Sequence, residues 1–458
     1  MKVLADPERL LGEGIARLRE RYAVPDGFSP EVLADAEQAA QRTPDAHIDW
    51  TDRPFVTLDP ASSTDLDQAF QIEAAGADLL LHYALADIGW FAPVGGALDA
   101  EAWRRGVTLY LPDSKARLYP PVLSEAAASL LPDGPRPAIV VTVRCDPDGA
   151  VSLEGAVRAV IRSRAKLAYE TVDMAAVPHL EDFAARMAAA ETRRAAARVD
   201  PPEQSIERGP DGRYQLSLRP WLPSEEVNSA LSLAANIAIA EALFAGKTGL
   251  FREMPAPDEV ALRRLRQTAR GFGLEWPETM ALRDFERGID PRTPSGAAFQ
   301  LAVRRAGGGA DYRAFTPGHR PFHAAIGAIY CHATAPMRRL ADRYVLDAVL
   351  ALTSGQNGPE IEVFQQLAKT MNTADSREGA IERAVLDLAE AALLHGREGE
   401  VFRAIVTDRD ERGARVQLTD LPVVARVDTQ GVGSGDTVHL RLVSADPVRT
   451  EVRFVRVR

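Results

Sequence analysis

The chain predicts an α+β fold in which a mixed sheet is covered by helices, with a short helical element before it and a five-stranded barrel after it. Three observations carry this. From Phe55 to about Val160, short apolar runs are separated by Gly, Pro and Asp turns, as in strands. Between 165 and 395 the apolar residues fall at helical spacing, in alanine-rich segments such as EEVNSALSLAANIAIAEALF. Over roughly the last sixty residues, Val-rich runs return with turn residues between them.

Bulk properties bound the reading. At 458 residues the chain exceeds one small core, and about 100–200 residues per domain gives two to four units. With 46% hydrophobic and 26% charged residues, and apolar runs read as shorter than the roughly 18 residues that cross a bilayer, it is expected to be globular with no membrane partner. The charged start MKVLADPERLLGEGIARLRER has no signal core, and two cysteines, Cys145 and Cys331, make no disulfide framework. The expected location is cytoplasmic. A net charge of −11 argues against a nucleic-acid partner, yet of 54 basic residues only five are lysine, and the arginines cluster. Local patches therefore have to be judged by motif.

Taken in order, residues 1–50 form a helical N-terminal element. LLGEGIARLRERY has helical spacing, and SPEVLADAEQAAQ opens with Ser29 as N-cap and Pro30 at the first helical position. Residues 51–396 form the central domain, with strands at VTLD, AFQIEA, DLLLHYALADI, AIVVTVRCD and AVSLEGAVRAVI, then helices. Residues 397–458 carry five short strands at a spacing near ten, which suits an OB-fold barrel. Such barrels support single-stranded nucleic acid and also serve as plain structural modules.

The densest chemistry is FVTLDPASSTDLDQAF, residues 55–70. Asp59, Asp65 and Asp67 repel one another unless a cation or donors offset them, and carboxylate oxygens suit magnesium. A pair of such ions activates water and steadies the leaving oxygen in displacement at phosphorus. A solvated turn loop is the competing reading. AGKTG, 245–249, lacks the opening glycine of a phosphate loop, since position 241 is Glu241, and reads as a helix C-cap at Gly246. The triple glycine at 307–309 reads as a loop. In YCHATAPMRRLADRYV, Arg338, Arg339 and Asp342 fall near a helix start, either as a phosphate site or as an exposed Arg–Asp pair. His332 reads as a structural histidine. Tyr110 and Tyr169, each preceded by arginines, are either base-stacking platforms or core tyrosines.

In this order the segments resemble the ribonuclease II / ribonuclease R (RNB) family of processive exoribonucleases, from about Asp52 to the C-terminus. Phe55–Phe70 is similar to the family's four-aspartate metal motif: Asp59, Asp65 and Asp67 match the first three, and Gln68 stands at the fourth. LADIGWFAP, RRGVTLYLPDSKARLYPPVLSEAAASLLP and AVIRSRAKLAYETV resemble the segments that follow. YCHATAPMRRLAD resembles the arginine motif, departing from it at Ala333, Ala335, Met337 and Leu340. The resemblance implies Mg2+, with Mn2+ as the alternative ion, held by Asp59, Asp65, Asp67 and Gln68. It implies that Asp59, Asp65, Asp67 and Arg338 are catalytic, and that Tyr110, Tyr169, Arg338, Arg339 and Glu382 contact RNA. It also implies a single-stranded RNA 3′ end as partner, with no obligate protein partner, and a C-terminal S-one-type RNA-binding domain.

Family members of the bacterial ribonuclease II type carry two cold-shock domains ahead of the catalytic domain, where about 50 residues stand here. The expectation is a helix-turn-helix-like substitute for them and a more open approach to the active site. The implied activity is hydrolysis of single-stranded RNA, 3′ to 5′, to nucleoside 5′-monophosphates. Its rivals are a degenerate RNB-like protein that binds RNA without cutting it, and a phosphodiesterase acting on small nucleotides. Gln68 offers a carbonyl oxygen but no full charge, so a raised magnesium requirement or a manganese preference is expected.

Overall fold

The structure, a computed structural model, describes residues 2–4, 10–194, 196, 203–208, 214–219, 221–290, 293–306, 309–410, 413–421, 423–427, 431–433 and 435–457. Gly307 and Gly308 of the triple glycine lie outside them.

The mixed sheet closes on itself. Strands Ile48–Asp59, Gln68–Ala75, Asp78–Ala86, Arg136–Cys145 and Val151–Ala168 form a closed barrel in that order. Neighbours are antiparallel except at the closing seam, where Ile48–Asp59 runs parallel to Val151–Ala168 with Asp59 opposite Ala168. Two features allow closure: the last strand is 18 residues long, and register breaks at Trp50/Phe55, Phe55/Thr57 and Thr142/Val143 bend the ladder. Phe55, Leu81 and Val141 are fully buried core residues. The seam is what carries Asp59 to the barrel rim, beside Tyr169.

Helix Pro223–Ala245 packs along three of these strands. The sequence reading placed the apolar runs below membrane-spanning length. This helix does reach it, by length and hydropathy, but Leu231, Ala234, Ala235, Ile239 and Leu243 are buried in the protein core. A core helix covered on all sides needs no polar face. Its polar residues Asn228, Ser232 and Asn236 point to the site described below. The expected C-cap at Gly246 is present, its N–H donating to the Ala242 and Phe244 carbonyls.

The helical reading of 165–395 is interrupted by strands. Glu203–Arg208 and Tyr214–Arg219 pair with Lys2–Leu4 in a three-stranded sheet, and Leu250–Glu253 pairs with Asp311–Ala314. Tyr214, Leu216 and Leu218 alternate with polar residues, the period of a strand, but the flanking alanine-rich helices dominate a wider window. Helices Glu259–Gly271, Leu282–Arg287 and Pro294–Ala306 share a satellite core around Trp276, Phe285 and Phe299.

The N-terminal helices are Leu10–Arg21 and Pro30–Ala40, the second capped by the Ser29 hydroxyl with Pro30 at its first position. Leu11, Ile15, Leu18, Val32 and Ala36 belong to the same core as the barrel, so the apolar faces of both helices are spent on packing against it. Helix Ile361–Leu394 links the two ends of the molecule, and its last residue, Leu394, enters the C-terminal core. There, Val424–Val427, Gly413–Leu418, Val401–Asp410, Thr437–Asp446 and Glu451–Val457 form a five-stranded antiparallel sheet whose edge strands approach each other, an OB-type barrel. Phe402 and Phe454 meet edge to face inside it.

Candidate active site

The acidic loop between Asp59 and Asp67 is held in place by its backbone. Leu66 is fully buried, its N–H donates to the Ser129 hydroxyl at 2.9 Å, and that hydroxyl donates to the Thr64 carbonyl at 2.7 Å. Lys166 spans the loop from the closing strand, its Nζ donating to the Ala61 and Ser63 carbonyls at 2.7 and 2.6 Å. A loop fixed this way presents its carboxylates in a set geometry, which a solvated turn would not.

The three aspartates then differ. Asp67 is buried; its Oδ1 accepts from the Met337 N–H at 2.7 Å and its Oδ2 from Arg338 Nε at 3.0 Å. Asp65 faces Lys115, whose Nζ lies 3.0 and 3.1 Å from its two oxygens. Asp59 has no such partner among the described residues. Burial first, then the Asp67 carboxylate, pushes its carboxyl up to about 7, with Arg338 opposing. Burial likewise pushes Asp67 up to about 6 against the pull of Arg338.

The two arginines separate in role. Arg339 makes a bidentate pair with Asp342, Nε to Oδ1 at 3.0 Å and Nη2 to Oδ2 at 2.8 Å, and Asp342 also accepts from the Ala335 N–H. That pair fixes the start of helix Leu340–Ser354. Arg338 gives Asp67 its Nε, its side chain is 44% exposed, and it also interacts with the Tyr110 hydroxyl. Gly106 to Thr108 lies against this segment: Thr108 N–H donates to the Arg338 carbonyl and Leu340 N–H to the Gly106 carbonyl, both at 2.9 Å. Gly106 sits at φ +74, a left-handed conformation suited to glycine.

Tyr110 follows this bridge, 42% exposed, with Lys115 Nζ 5.6 Å from its ring centroid. Tyr169 lies on the other side: its N–H donates to the Asp59 carbonyl at 3.2 Å and its hydroxyl accepts from Asn228 at 2.7 Å. Glu382 is on the long helix one turn from Glu378, whose carboxyl is pushed up to about 7 by burial, then by Glu382 and Asp375, while Arg339 and Arg338 pull it down. His332 is partly buried and bonds Tyr312, Nδ1 to hydroxyl 2.8 Å, with Tyr330 edge-on to its ring, a structural setting.

Gln68 is engaged elsewhere. Its Oε1 accepts from the Tyr83 hydroxyl and from Ser232 Oγ at 3.2 Å, and its Nε2 donates to the Thr334 carbonyl at 2.5 Å. An amide oxygen has two lone pairs, and both have a hydroxyl within reach. Its expected role as a metal ligand therefore competes with bonds the fold already makes.

Sequence reasoning passed over Lys115, Lys166, Tyr83, Ser232 and Glu378. The lysines carried a usable signal: the chain has five, and two of them stand at this loop.

Magnesium's fit can be judged from these donors. Among the described residues, no three Asp, Glu, His or Cys side chains converge closely enough to hold a metal ion, and Asp65 is engaged by Lys115. Asp59 and Asp67 remain: Asp59 has no basic hydrogen-bond partner among the described residues and feels the Asp67 charge, while Asp67 is shared with the Met337 N–H and Arg338. Magnesium is commonly held by one or two carboxylates, with water and substrate phosphate completing its shell. The residues fit one such ion.

A closed barrel with carboxylates and a half-exposed arginine at its rim is joined by helix Ile361–Leu394 to an OB-type module. Residues 47–355 match the RNB domain family and residues 400–457 the RNase II-type exonuclease C-terminal S1 domain, so the chain belongs to the ribonuclease II / ribonuclease R (RNB) family. It is 26% identical to ribonuclease R of Thermotoga maritima, over 94% of this chain and 68% of that protein. Its fold is similar to that of Mycoplasma genitalium RNase R in complex with ribose methylated single-stranded RNA, with TM-score 0.86 and 19% identity over 100% of this chain and 79% of that one. It is also similar to yeast Ssd1, described as a pseudonuclease, with TM-score 0.68 and 16% identity over 96% of this chain and 57% of that one. Ala333, Ala335, Met337 and Leu340, where the arginine segment departs from the family pattern, are all buried.

Proposed function

We propose that the protein is a magnesium-assisted 3′-to-5′ exoribonuclease that hydrolyses single-stranded RNA processively to nucleoside 5′-monophosphates. The observation that supports this most is Arg338: bonded to buried Asp67 through Nε, its side chain is still 44% exposed and interacts with both Asp59 and Tyr110.

In this reading the 3′-terminal base stacks on Tyr110, and Tyr169 and Glu382 flank the strand. Arg338 binds the non-bridging oxygens of the last phosphodiester and steadies the charge that grows on them as water attacks phosphorus. Asp67 holds Arg338 in place through a bond of 3.0 Å. Asp59 and Asp67 would hold the ion, with Asp65 supporting the cluster through Lys115. A bound magnesium ion supplies the Lewis-acid chemistry that eases deprotonation of water and neutralises phosphate charge. Arg339 orders the backbone that carries Arg338.

The rival, an RNA binder without cleavage, is favoured by Gln68 in place of a fourth carboxylate and by the similarity to a pseudonuclease fold. Product analysis separates them. Single-stranded RNA incubated with the protein and magnesium should yield nucleoside 5′-monophosphates from the first turnovers; intact RNA in a retarded complex would favour the binder.

A further inference from the structure

Gln68 follows Asp67 at the start of strand Gln68–Ala75, and successive residues of an extended chain point to opposite sides. Both nevertheless hold the same distant segment. Asp67 takes the Met337 N–H and Arg338 Nε; Gln68 takes the Thr334 carbonyl. The other end of the Gln68 amide joins Tyr83, on strand Asp78–Ala86, to Ser232, on helix Pro223–Ala245, and those two hydroxyls lie 2.8 Å apart. One side chain therefore crosslinks a barrel strand, the core helix and the loop that delivers Arg338.

The chemistry selects an amide. This position needs an acceptor for two hydroxyls and a donor for a carbonyl at the same time. A carboxylate supplies the first and not the second, and would set a negative oxygen against the Thr334 carbonyl. Tyr83 is fully buried and Thr334 is 3% exposed, so the surroundings leave that mismatch uncompensated.

We propose that Gln68 is a positioning residue: a neutral hydrogen-bond crosslink that seats the Arg338 loop on the barrel, in place of a charge or ligand oxygen offered to a cation. The proposal rests on the phosphate-binding role of Arg338 given above. It reverses the intuitive expectation for the site. Restoring a carboxylate at 68 should harm the protein, whereas a ligand role would make the same change beneficial.

The test is a double-mutant cycle between Gln68→Glu, which keeps side-chain length and removes the donor, and Arg338→Ala. Single-stranded RNA affinity in EDTA and kcat/KM in saturating magnesium are both read, with melting temperatures as a fold control. Ser232→Ala, a milder cut in the same network, serves if Gln68→Glu fails to fold. The expected result is a loss of about tenfold or more for Gln68→Glu in the wild-type background, since small misplacements of a positioning group are this costly. Added magnesium should not rescue it, and the loss should shrink several-fold once Arg338 is alanine. Additive losses, or a Gln68→Glu variant that works at lower magnesium than wild type, would overturn the proposal. If wild type binds RNA without degrading it, the nuclease reading fails, and the affinity cycle alone decides the role of Gln68.

Discussion

Asp67 and Arg338, 271 residues apart in the chain, meet at the barrel rim through Nε and Oδ2 at 3.0 Å, the carboxylate buried and the guanidinium half-exposed. The pair is asymmetric. The aspartate depends on the arginine for charge balance, while the arginine side chain stays partly open to solvent beside Tyr110.

Replacing Arg338 should therefore separate catalysis from stability. Arg338→Ala is expected to lower kcat by about 10²–10³, the usual effect of removing one preorganised donor to developing charge. Stability should fall by about 1–3 kcal/mol, because Asp67 keeps only the Met337 N–H. Adding Asp67→Asn in the same chain should return much of that stability and none of the activity. Steady-state kinetics and thermal melting on wild type and the two variants check this.

A second expectation concerns pH and lies away from the active site. Glu286, on helix Leu282–Arg287, is buried beside a cavity lined by Ala184, Ala188, Val227 and Ala230, neither of its oxygens has a hydrogen-bond partner among the described residues, and burial pushes its carboxyl up to about 8 from an ordinary 4.5. Between those values the folded chain keeps a proton that the unfolded chain has released, so this group's contribution to stability falls as pH rises. Glu286→Gln should match wild type in melting temperature near pH 4.5 and exceed it increasingly up to about pH 8. The gap there should be on the order of a few kcal/mol. Melting curves across that range that run parallel for the two proteins would contradict it.

The C-terminal barrel predicts its own manner of binding. From 400 to 457 the aromatic residues are Phe402 and Phe454, both buried and packed on each other, so neither offers a platform for a base. Arg403 and Arg441 stand on its outward face, opposite His439 and Val401 on paired strands. RNA affinity through this unit should be electrostatic and indifferent to base identity. Arg403→Ala with Arg441→Ala should reduce the slope of log affinity against log salt by about 0.7 for each phosphate no longer neutralised, at equal cost to different homopolymers. Binding isotherms at several salt concentrations measure it. An unchanged slope would place the RNA elsewhere.

Much of this was legible in the sequence because local signals carry it. The acidic loop, the arginine segment, the Ser29 cap and the strand periods all lie within windows of a few residues. What was missed depends on partners far along the chain. Lys115 meets Asp65 across 50 residues and Gln68 meets Thr334 across 266, and no periodicity records such pairings. The commitment of the Gln68 amide was invisible for the same reason: a residue type states what it can donate or accept, not which neighbour takes it. Helix Pro223–Ala245 escaped as a membrane-length segment because its few polar residues broke the apolar run, and these are the residues that reach the site. The strands at 203–208 and 214–219 were hidden by the helical segments on either side.

The most direct test of the central claim is a time course with single-stranded RNA labelled at its 5′ end, incubated with the full chain in magnesium and in EDTA. The account predicts that in magnesium the full-length band converts to a short labelled end product with few intermediates, that EDTA stops this, and that Asp59→Asn and Arg338→Ala slow it strongly. Full-length RNA persisting in magnesium while a retarded complex forms would contradict it, and would make this chain an RNA-binding member of a nuclease family.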